Sequence, residues 1–591
     1  MFKLLRSMKK REIIASLTAI LLILAQIYFD LTLPDYMSNL TKLVGTPGSE
    51  RSEIIEVGAK MLGCALISMI LAVICGYLIS GVAAGFGYTI RGRIFDKVSD
   101  FGNEEMNGFS VSSLIIRTTN DVTQIQTLLA MGLQMLIKAP VMAVWAVLKI
   151  VNKSLELSLV TAGFVAFLLI MMISFLIILL PRYKRVQRMT DDINRIAREN
   201  ISGIRVVHAY NAEDYQNEKF DDANSRLINT QLFNQRLFAA MMPTMSLAMN
   251  GLSLAVYWIG ASLIGKIPAS DVAGRMTLFS NIVVFGTYAT YVIMSLMMMV
   301  MIVMMLPQAQ VSAGRINEIL GAESSIHSGT ATQGREVGTV EFKNVSFRYP
   351  GAAKDTLDDI SFKVNKGETI AFIGATGCGK TTLVSLVARF YDATCGSVMV
   401  DGVDVRDYSF EALYDKLGYV TQKAVLFSGT VRENVNFGES GAAISDANAW
   451  HALELAQAAD FVENMPGKLD ERLEEGGTNV SGGQKQRISI ARALARKPEI
   501  LIFDDSFSAL DYKTDAKLRR ALKDDFGGTT VMIVAQRIGT IRHADKIVVL
   551  DHGRAVGIGT HDELMETCAV YREIAFSQLS EKELSEKELG A

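Results

Sequence analysis

The chain has 591 residues, of which 50% are hydrophobic and 20% are charged, and its formal net charge at pH 7 is −3. This length exceeds one ordinary domain, and the near-balanced charge indicates no nucleic-acid partner. The five cysteines form neither a CxxC pair nor a metal-ligand spacing, which argues against a disulfide framework and a cysteine-bound metal.

The first half of the chain contains six long apolar runs, each long enough to cross a bilayer as a helix. Their approximate extents are 13–29, 61–90, 128–148, 157–180, 237–265 and 276–307. The first run is followed by Leu33-Pro34-Asp35 instead of a small-residue cleavage site, so we expect no cleaved signal peptide. The pattern predicts a membrane domain of six spans over residues 1–320.

Basic residues are concentrated before the first run and after the second and fourth runs. Because cytosolic loops are enriched in Lys and Arg, these three segments are predicted to face the cytosol. The rest of the chain follows the sixth run and is then cytosolic too. We therefore expect a multi-pass protein of the cytoplasmic membrane with both termini in the cytosol.

The two long cytosolic connections contain few prolines and have a helix-compatible composition. We interpret them as helical extensions of the spans, with reversals near residues 107–114 and 207–215. Such reversals would be natural contact points with the cytosolic half. The alternative is a pair of solvated amphipathic loops.

Two ionisable residues lie at or near membrane depth, where such groups often mark a functional site. Lys138 could line a polar cavity, reach the cytosolic surface or pair with a partner chain. Asp30, at the outer end of the first run, is expected to reach water. Seven methionines between Met294 and Met305 suit a promiscuous apolar surface or ordinary packing, and no His or Cys accompanies them to suggest copper.

After a polar linker at 321–338, the sequence becomes that of a soluble α/β domain, which we place at 339–578. Residues Val340–Tyr349 predict a strand whose phase shifts midway, and Thr369–Ile373 predict an apolar strand. The second strand leads into a G-x-x-x-x-G-K-[ST] loop. The loop consists of Gly374, Ala375, Thr376, Gly377, Cys378, Gly379, Lys380, Thr381 and Thr382.

Each residue type in this loop suits a nucleoside triphosphate. Glycines let backbone N–H groups wrap the phosphates, Lys380 neutralises the β and γ oxygens, and Thr381 offers its hydroxyl to Mg²⁺. A later apolar strand, Ile500–Asp504, ends in a carboxylate that would orient the same ion. The sequence therefore predicts ATP and Mg²⁺ as cofactors.

Further motifs identify a family. Ser481, Gly482, Gly483 and Gln484, preceded by Val480 and followed by Lys485-Gln486-Arg487, resemble the signature of ABC ATPases, with valine replacing the usual leucine. The other matching segments are Phe347-Arg348-Tyr349, Val420-Thr421-Gln422, Glu474-Glu475-Gly476-Gly477, Ser508-Ala509-Leu510-Asp511, and the cytosolic stretches 117–122 and 199–207. The resemblance covers nearly the whole chain.

Resemblance to ABC exporters implies a multidomain fold, in which a six-helix membrane domain with long cytosolic extensions precedes an α/β P-loop nucleotide-binding domain. It implies that Tyr349 stacks on adenine and that Gln422 senses the metal, so that Thr381, Gln422 and Asp504 form the Mg²⁺ set. It also implies a dimer of halves, in which each ATP lies between one chain's phosphate loop and the other chain's signature.

Two residues depart from the family pattern at the catalytic positions. Asp505 stands where the family has the glutamate that polarises water, and Gln536 stands where it has a histidine. The shorter carboxylate and the uncharged amide both predict weak hydrolysis. His543 is out of register and does not replace the histidine. This pattern resembles one subunit of bacterial heterodimeric multidrug exporters, whose partner would supply the glutamate and histidine; a homodimer with two slow sites is the alternative.

The predicted function is ATP-driven export of amphipathic compounds by alternating access, with membrane lipids and a second half-exporter as partners. A lipid or lipid-linked flippase, a peptide exporter and a non-transporting channel or regulator remain alternatives. The charged tail at 579–591 repeats Ser-Glu-Lys-Glu-Leu and is expected to be a frayed helix or solvated.

Overall fold

A computed structural model of the protein describes residues 2–46, 49–151, 155–438 and 444–578. The charged tail predicted at 579–591 lies outside them. The described chain forms two compact units. The membrane unit comprises residues 2–99 and 111–322, and the second unit comprises residues 100–110 and 323–578.

The described part of the membrane unit is helical. In chain order the helices up to residue 321 are α1 (Phe2–Leu5), α2 (Lys10–Gly45), α3 (Arg51–Ser99), α4 (Asn103–Gly108, in the second unit), α5 (Val111–Ile116), α6 (Val122–Thr127), α7 (Leu133–Val151), α8 (Leu155–Ser202), α9 (Ile204–Ala209), α10 (Glu213–Lys266) and α11 (Val272–Gly321). Two π-helical turns, Arg117–Asp121 and Leu128–Gly132, join α5, α6 and α7 into one continuous helical segment.

Six helical segments are long and apolar enough to cross a membrane, which confirms the six predicted spans. They continue far beyond the apolar runs. Helix α3, for example, has 49 residues, whereas about 20 suffice to span a bilayer. The reversals occupy 100–110 and 203–212 and so begin a few residues before the predicted positions.

The membrane unit is held together by helix pairs, with α2 against α3, α7 against α11, and α8 against α10. Helix α2 buries Ile23, Ile27 and Leu31, which are at most 1% exposed. These residues recur every four positions and so lie on one helix face. Their packing partners include Phe285 and Tyr288 of α11.

Asp30 does not simply reach water, so that expectation was wrong. Its carboxylate accepts a hydrogen bond from Ser68 of α3 at 2.5 Å and pairs with the ammonium of Lys138 at 3.2 Å. The partner of Lys138 is therefore in its own chain. A second pair, Asp35 with Lys149 at 2.6 Å, also joins α2 to α7. Buried charges require such partners because an unpaired ion in a low-dielectric interior is costly.

We expect Lys138→Ala to destabilise the membrane unit by about 1–3 kcal/mol, because it leaves Asp30 buried without its counter-ion. The Lys138 and Asp30 side chains are 16% and 22% exposed. Lys60→Ala is the matched control, since its pair with Glu56 is largely exposed and lies within one helix; it should change the stability little, because exposed ion pairs contribute little. Denaturant unfolding of the detergent-solubilised chain measures both, and equal losses would contradict this prediction.

The second unit is an α/β domain. Its strands are β1 (Val340–Phe347), β2 (Leu357–Val364), β3 (Thr369–Gly374), β4 (Cys395–Val400), β5 (Val403–Asp404), β6 (Leu417–Val420), β7 (Gly429–Thr430), β8 (Arg472–Leu473), β9 (Ile500–Asp504), β10 (Thr530–Val534), β11 (Lys546–Asp551) and β12 (Arg554–Gly559). Its remaining helices are α12 (Lys380–Val387), α13 (Phe410–Lys416), α14 (Val431–Val435), α15 (Asp446–Leu455), α16 (Ala459–Glu463), α17 (Gly482–Ala495), α18 (Tyr512–Asp525), α19 (Ile538–Ile541), α20 (His561–Thr567) and α21 (Ala569–Gln578).

The strands form an antiparallel sheet in the order β2-β1-β4-β5, a six-stranded sheet in the order β12-β11-β3-β10-β9-β6, and a small β7-β8 pair. In the large sheet all neighbours are parallel except β12 with β11. Strand β1 shifts register between Phe342 and Val345, which agrees with the change of phase predicted from the sequence.

Parallel pairing brings the carboxyl ends of β3, β6, β9 and β10 to one edge of the large sheet. Val534 of β10 lies opposite both Asp504 of β9 and Phe372 of β3, and Val420 of β6 lies opposite Phe503. The segments that follow these strands therefore meet outside that edge, where open parallel sheets bind their ligands.

Candidate functional site

The predicted phosphate loop joins β3 to the start of α12. Gly377 and Gly379 have φ angles of 85° and 101°, which residues with a side chain rarely adopt. A Cβ at Gly379 would also lie 2.7 Å from the Leu357 side chain. Lys380 donates to the carbonyls of Gly374 and Ala375, both at 2.8 Å, so its ammonium is held across the loop.

The predicted metal position is formed by Thr381 and Asp504. The Thr381 hydroxyl donates to Asp504 Oδ1 at 2.8 Å, and the Tyr419 hydroxyl lies 3.4 Å from Oδ2. Burial raises the pKa of Asp504, the hydrogen bond from Thr381 opposes that shift, and the neighbouring charge of Asp505 adds to it. Hydroxyl and carboxylate oxygens are the ligands that Mg²⁺ prefers, so this pair fits the ion.

Asp505 accepts hydrogen bonds from two side-chain amides on the same oxygen. Gln536 Nε2 donates to Asp505 Oδ2 at 2.7 Å, and Gln422 Nε2 donates to it at 3.3 Å. Asp505 itself is only 6% exposed and has a φ of 48°, in the left-handed region. The two amides therefore share one oxygen of the Asp505 carboxylate.

One cavity of about 360 Å³ joins these segments. It is lined by Tyr349, Thr356, Thr376, Gly377, Gly379, Lys380, Thr381, Thr382, Gln422, Asp505, Val534 and Gln536. The predicted residues Gly374, Ala375, Cys378 and Asp504 lie beside it, in the loop and beneath Thr381. The cavity offers an aromatic side chain, a lysine and hard oxygen ligands, which fits a nucleoside triphosphate with its metal ion.

The predicted signature residues do not line this cavity. Ser481 is the N-cap of α17, where its Oγ accepts from Gln484 N at 3.3 Å and Gln484 Oε1 accepts from Ser481 N at 2.8 Å. This capping box begins α17, so that Gly482 and Gly483 lie in its first turn. The N-terminal end of a helix favours anions. Within the second unit Ser481 and Gly482 are exposed.

Sequence reasoning missed Tyr391, which links the nucleotide side of the cavity to α4. The Tyr391 ring packs edge-on against Tyr349 with centroids 5.3 Å apart, and the Tyr349 hydroxyl is 2.9 Å from Thr382 Oγ1. The Tyr391 hydroxyl accepts a hydrogen bond from Asn107 of α4 at 3.1 Å. Tyr391 follows the phosphate-loop helix, but no motif marks its position.

Helix α4 also contacts the rest of the second unit at another point. Glu105 Oε1 accepts a hydrogen bond from the backbone N–H of Ser325 at 2.8 Å. Partial burial raises the pKa of Glu105, but hydrogen bonds from the backbone N–H groups of Ser325 and Gly102 outweigh burial and hold the pKa below its usual value. The carboxylate form therefore holds α4 in place at neutral pH.

We expect Tyr349→Ala to weaken ATP binding by about tenfold, because stacking of a base on an aromatic ring is worth about 1–3 kcal/mol. Tyr349→Phe is the matched control, since it keeps the ring and loses only the contact with Thr382. Titration with a fluorescent ATP analogue measures both variants. Equal weakening in the two would show that the hydroxyl, and not the ring, carries the interaction.

Comparison with known proteins tests the family. The family model for the ABC transporter matches residues 357–508, and that for the ABC transporter transmembrane region matches residues 13–296. An uncharacterised ABC transporter ATP-binding protein of Mycobacterium tuberculosis is 37% identical over 539 residues, covering 90% of this chain and 91% of the relative. The chain belongs to the ABC transporter family. This transporter thus combines a membrane region and an ATPase domain in one chain, which makes it a half-transporter.

Two further similarities are to a curated relative and to a solved exporter structure. An ATP-dependent lipid A-core flippase of Pseudomonas fluorescens is 30% identical over 496 residues, covering 84% of this chain and 81% of the flippase. The solved structure of a bacterial Atm1-family ABC exporter with ATP bound matches with a TM-score of 0.79 at 22% identity, covering 97% of this chain and all of that one. The second likeness supports the fold: six apolar helices and an α/β ABC ATPase domain.

Proposed function

We propose that this ABC exporter is the weakly hydrolysing subunit of a heterodimer that exports amphipathic compounds from the cytosol or the inner leaflet. The observation that carries the proposal is the arrangement at Asp505. A carboxylate one methylene shorter than glutamate stands at the position of the catalytic base, and two neutral amides hold one of its oxygens.

The roles that we assign to residues of the nucleotide site rest on the family resemblance and are supported by the geometry of the cavity. Tyr349 stacks on the adenine, the loop from Gly374 to Thr382 wraps the phosphates, and Lys380 moves from the loop carbonyls to the β and γ oxygens. Thr381, Gln422 and Asp504 hold Mg²⁺, which neutralises charge that develops on the phosphates. The set for binding ATP is complete, so the deficit lies in the hydrolytic step alone.

In this proposal hydrolysis is weak because the residues at both catalytic positions, Asp505 and Gln536, are unsuited to it. Asp505 ends about an ångström short of the position that a glutamate carboxylate would reach, and a general base that is displaced from its proton loses about 10²–10⁴-fold in rate. Gln536 donates a hydrogen bond but carries no positive charge. The site is therefore suited to holding ATP between cycles.

The intact signature serves the partner's ATP in this proposal. Ser481, Gly482, Gly483 and Gln484 present an exposed helix N-terminus, which favours a γ-phosphate supplied by another chain. The partner would complete that site with its own phosphate loop, glutamate and histidine. Hydrolysis there would reset the transport cycle.

Two exposed apolar surfaces, one in each unit, support the presence of a partner chain. In the membrane unit, the reversal between α8 and α10 exposes Ile201 and Tyr210, which are 75% and 81% accessible. In the second unit, Phe427 and Phe437 stack with centroids 4.2 Å apart and remain about half exposed. Exposed aromatic pairs of this kind are typical of protein interfaces.

Transport by alternating access requires a defined orientation of the chain in the membrane. We propose that both termini and the second unit are cytosolic, and that ATP-driven closure of the ATPase domains opens the membrane helices outward. The proposed domain limits are 1–320 for the membrane domain, 321–338 for the linker, 339–578 for the nucleotide-binding domain and 579–591 for the tail. Membrane lipids contact the apolar helices.

A lipid or lipid-linked substrate is the second candidate, because relatives in Pseudomonas fluorescens and Aromatoleum aromaticum are named lipid A-core flippases. A homodimer with two slow sites is the alternative assembly. The peptide exporter and the channel or regulator have no specific observation in their favour.

Purification of the tagged chain from its own cells, with identification of the membrane protein that accompanies it, tests the proposal. The complex is then reconstituted in liposomes, and ATP-driven accumulation of an amphipathic dye is compared with movement of a labelled lipid. We expect a second half-transporter with Glu and His at the positions of Asp505 and Gln536, and accumulation of the dye. Recovery of this chain alone, with brisk ATP turnover, would overturn the heterodimer; movement of lipid without dye would favour the flippase.

A further inference from the structure

The C-terminal helix α21 reaches the nucleotide site through its last residue. Gln578 Nε2 donates to the backbone carbonyl of Gln536 at 2.8 Å, and the backbone N–H of Ile538 donates to Gln578 Oε1 at 2.9 Å. One side chain therefore holds the main chain on both sides of Arg537. We call this pair of bonds the Gln578 clamp.

The clamp provides a hydrogen-bond acceptor for the backbone N–H of Ile538, which has no acceptor in its own helix. Ile538 begins α19, and the first N–H groups of a helix have no partner inside it. Within the described chain, the preceding residue, Arg537, makes no side-chain capping bond to α19. Gln578 supplies the missing acceptor from another helix, and its amide N–H binds the carbonyl two residues earlier.

Helix α21 is firmly placed, so the clamp is anchored. Tyr571 and Ala575 of α21 are fully buried in the core of the second unit. The Tyr571 hydroxyl also lies 2.7 Å from His561 Nδ1. The segment at 536–538 is thus tied to an element with its own packing, at a point 42 residues away in sequence.

The clamped residue is the one that contacts Asp505. The backbone of Gln536 is held by Gln578, while its side chain donates to Asp505 Oδ2 at 2.7 Å. Gln536 therefore connects α21 to the carboxylate of Asp505, through its backbone carbonyl on one side and its side-chain amide on the other. Moving the Gln536 backbone would move the amide that faces the nucleotide cavity.

We infer that Gln578 is a positioning residue of the nucleotide site, which fixes residue 536 at the γ-phosphate position and so slows release of bound ATP. This inference rests on the proposed role of Gln536. A side-chain amide offers a donor and an acceptor side by side, so Gln is suited to hold a C=O and an N–H together. The C-terminal helix thereby influences how long ATP remains bound.

The test uses the full chain in detergent with a non-hydrolysable ATP analogue. Gln578→Ala should speed hydrogen exchange at the Ile538 amide by about fivefold to tenfold, which corresponds to loss of one hydrogen bond. It should also speed release of the analogue by about threefold or more. Gln578→Glu keeps an acceptor for Ile538 but loses the donor to Gln536, so it should retain protection at Ile538 and still release the analogue faster.

Ser577→Ala is the matched control, because Ser577 is the neighbouring residue and its hydroxyl donates to Ile574 O within α21. It should change neither exchange at Ile538 nor release. Unchanged release in both Gln578 variants, with an unchanged melting temperature, would overturn the inference. Failure of the weak-site proposal is distinguishable, because it appears as ATP turnover by the unaltered chain and not in the release of an analogue that cannot be hydrolysed.

Discussion

The Asp505→Glu, Gln536→His double variant should hydrolyse ATP at least about tenfold faster than the unaltered chain when each is purified alone. The unaltered chain should turn over ATP at a rate near background. The minimum expected gain lies below the range of about 10²–10⁴-fold that a well-placed general base provides, since two copies of this chain must form both sites.

The expected gain in turnover has two physical causes, the greater length of the glutamate side chain and the positive charge that histidine can carry. The longer side chain introduced by Asp505→Glu would extend the carboxylate beyond the amides of Gln422 and Gln536, which now hold one oxygen of Asp505. A histidine at position 536 could carry the positive charge that glutamine lacks. Because Asp505 is buried and has a left-handed φ, the added methylene points into the cavity only if the backbone conformation is kept.

Three comparisons make this result interpretable. Lys380→Ala in the double-variant background should abolish the gain, which shows that the new turnover occurs at this phosphate loop. The single variants Asp505→Glu and Gln536→His show how much each of the two positions contributes to the gain in turnover. Affinity for a non-hydrolysable analogue should stay within about threefold of the unaltered chain. Brisk turnover by the unaltered chain would mean that Asp505 and Gln536 support hydrolysis and that the degenerate-site interpretation is wrong.

The second large effect concerns the signature. In the complex that this chain forms with its partner, Ser481→Ala should lower ATP turnover by about 10–100-fold, whereas Lys380→Ala should lower it only a few-fold. In the proposed heterodimer Ser481 contacts the ATP bound by the partner, and loss of one oriented hydrogen-bond donor at a reacting phosphate slows the reaction there. In the same proposal Lys380 serves the site that hydrolyses slowly.

The matched control for this effect is Ser445→Ala. Ser445 caps α15 as Ser481 caps α17, and each Oγ accepts from the N3 backbone N–H at 3.3 Å. Loss of either cap should cost a similar stability, about 1 kcal/mol, so a fall in turnover confined to Ser481→Ala reports catalysis. Equal losses of turnover from Ser481→Ala and Lys380→Ala would indicate two equivalent sites.

Much of this architecture could be predicted from local pattern. The six apolar runs determine six membrane helices, and continuous apolar strands such as Ile500–Asp504 indicate a buried parallel sheet. Parallel strands then bring Asp504, Gln422 and Gln536 to one edge. Asp504 was predicted from the end of its apolar strand, whereas Gln422 and Gln536 were predicted from the resemblance to ABC ATPases. Even the register shift in β1 left a sign in the phase of its apolar residues.

Other features depend on packing between distant segments and leave no local sign. Asp30 was expected to reach water because the first apolar run ends beside it, but helix packing places Lys138 and Ser68 next to its carboxylate. Tyr391 contacts Asn107, which is 284 positions away, and Gln578 contacts Gln536, which is 42 positions away. Such pairings follow from the three-dimensional arrangement and not from periodicity or motif.

Helix α4 has a consequence for the order of events during synthesis. It belongs to the second unit although it is made within the first fifth of the chain, and its partner Tyr391 lies 284 residues later. At about 5–20 residues per second, the ribosome needs about 15–60 s to cover that interval. During this time α4 and its exposed polar groups lack their later partner, while the remaining membrane helices are inserted. The contact between α4 and Tyr391 therefore forms only after residue 391 has been made, and a nascent chain that stalls before that residue leaves α4 without its tyrosine.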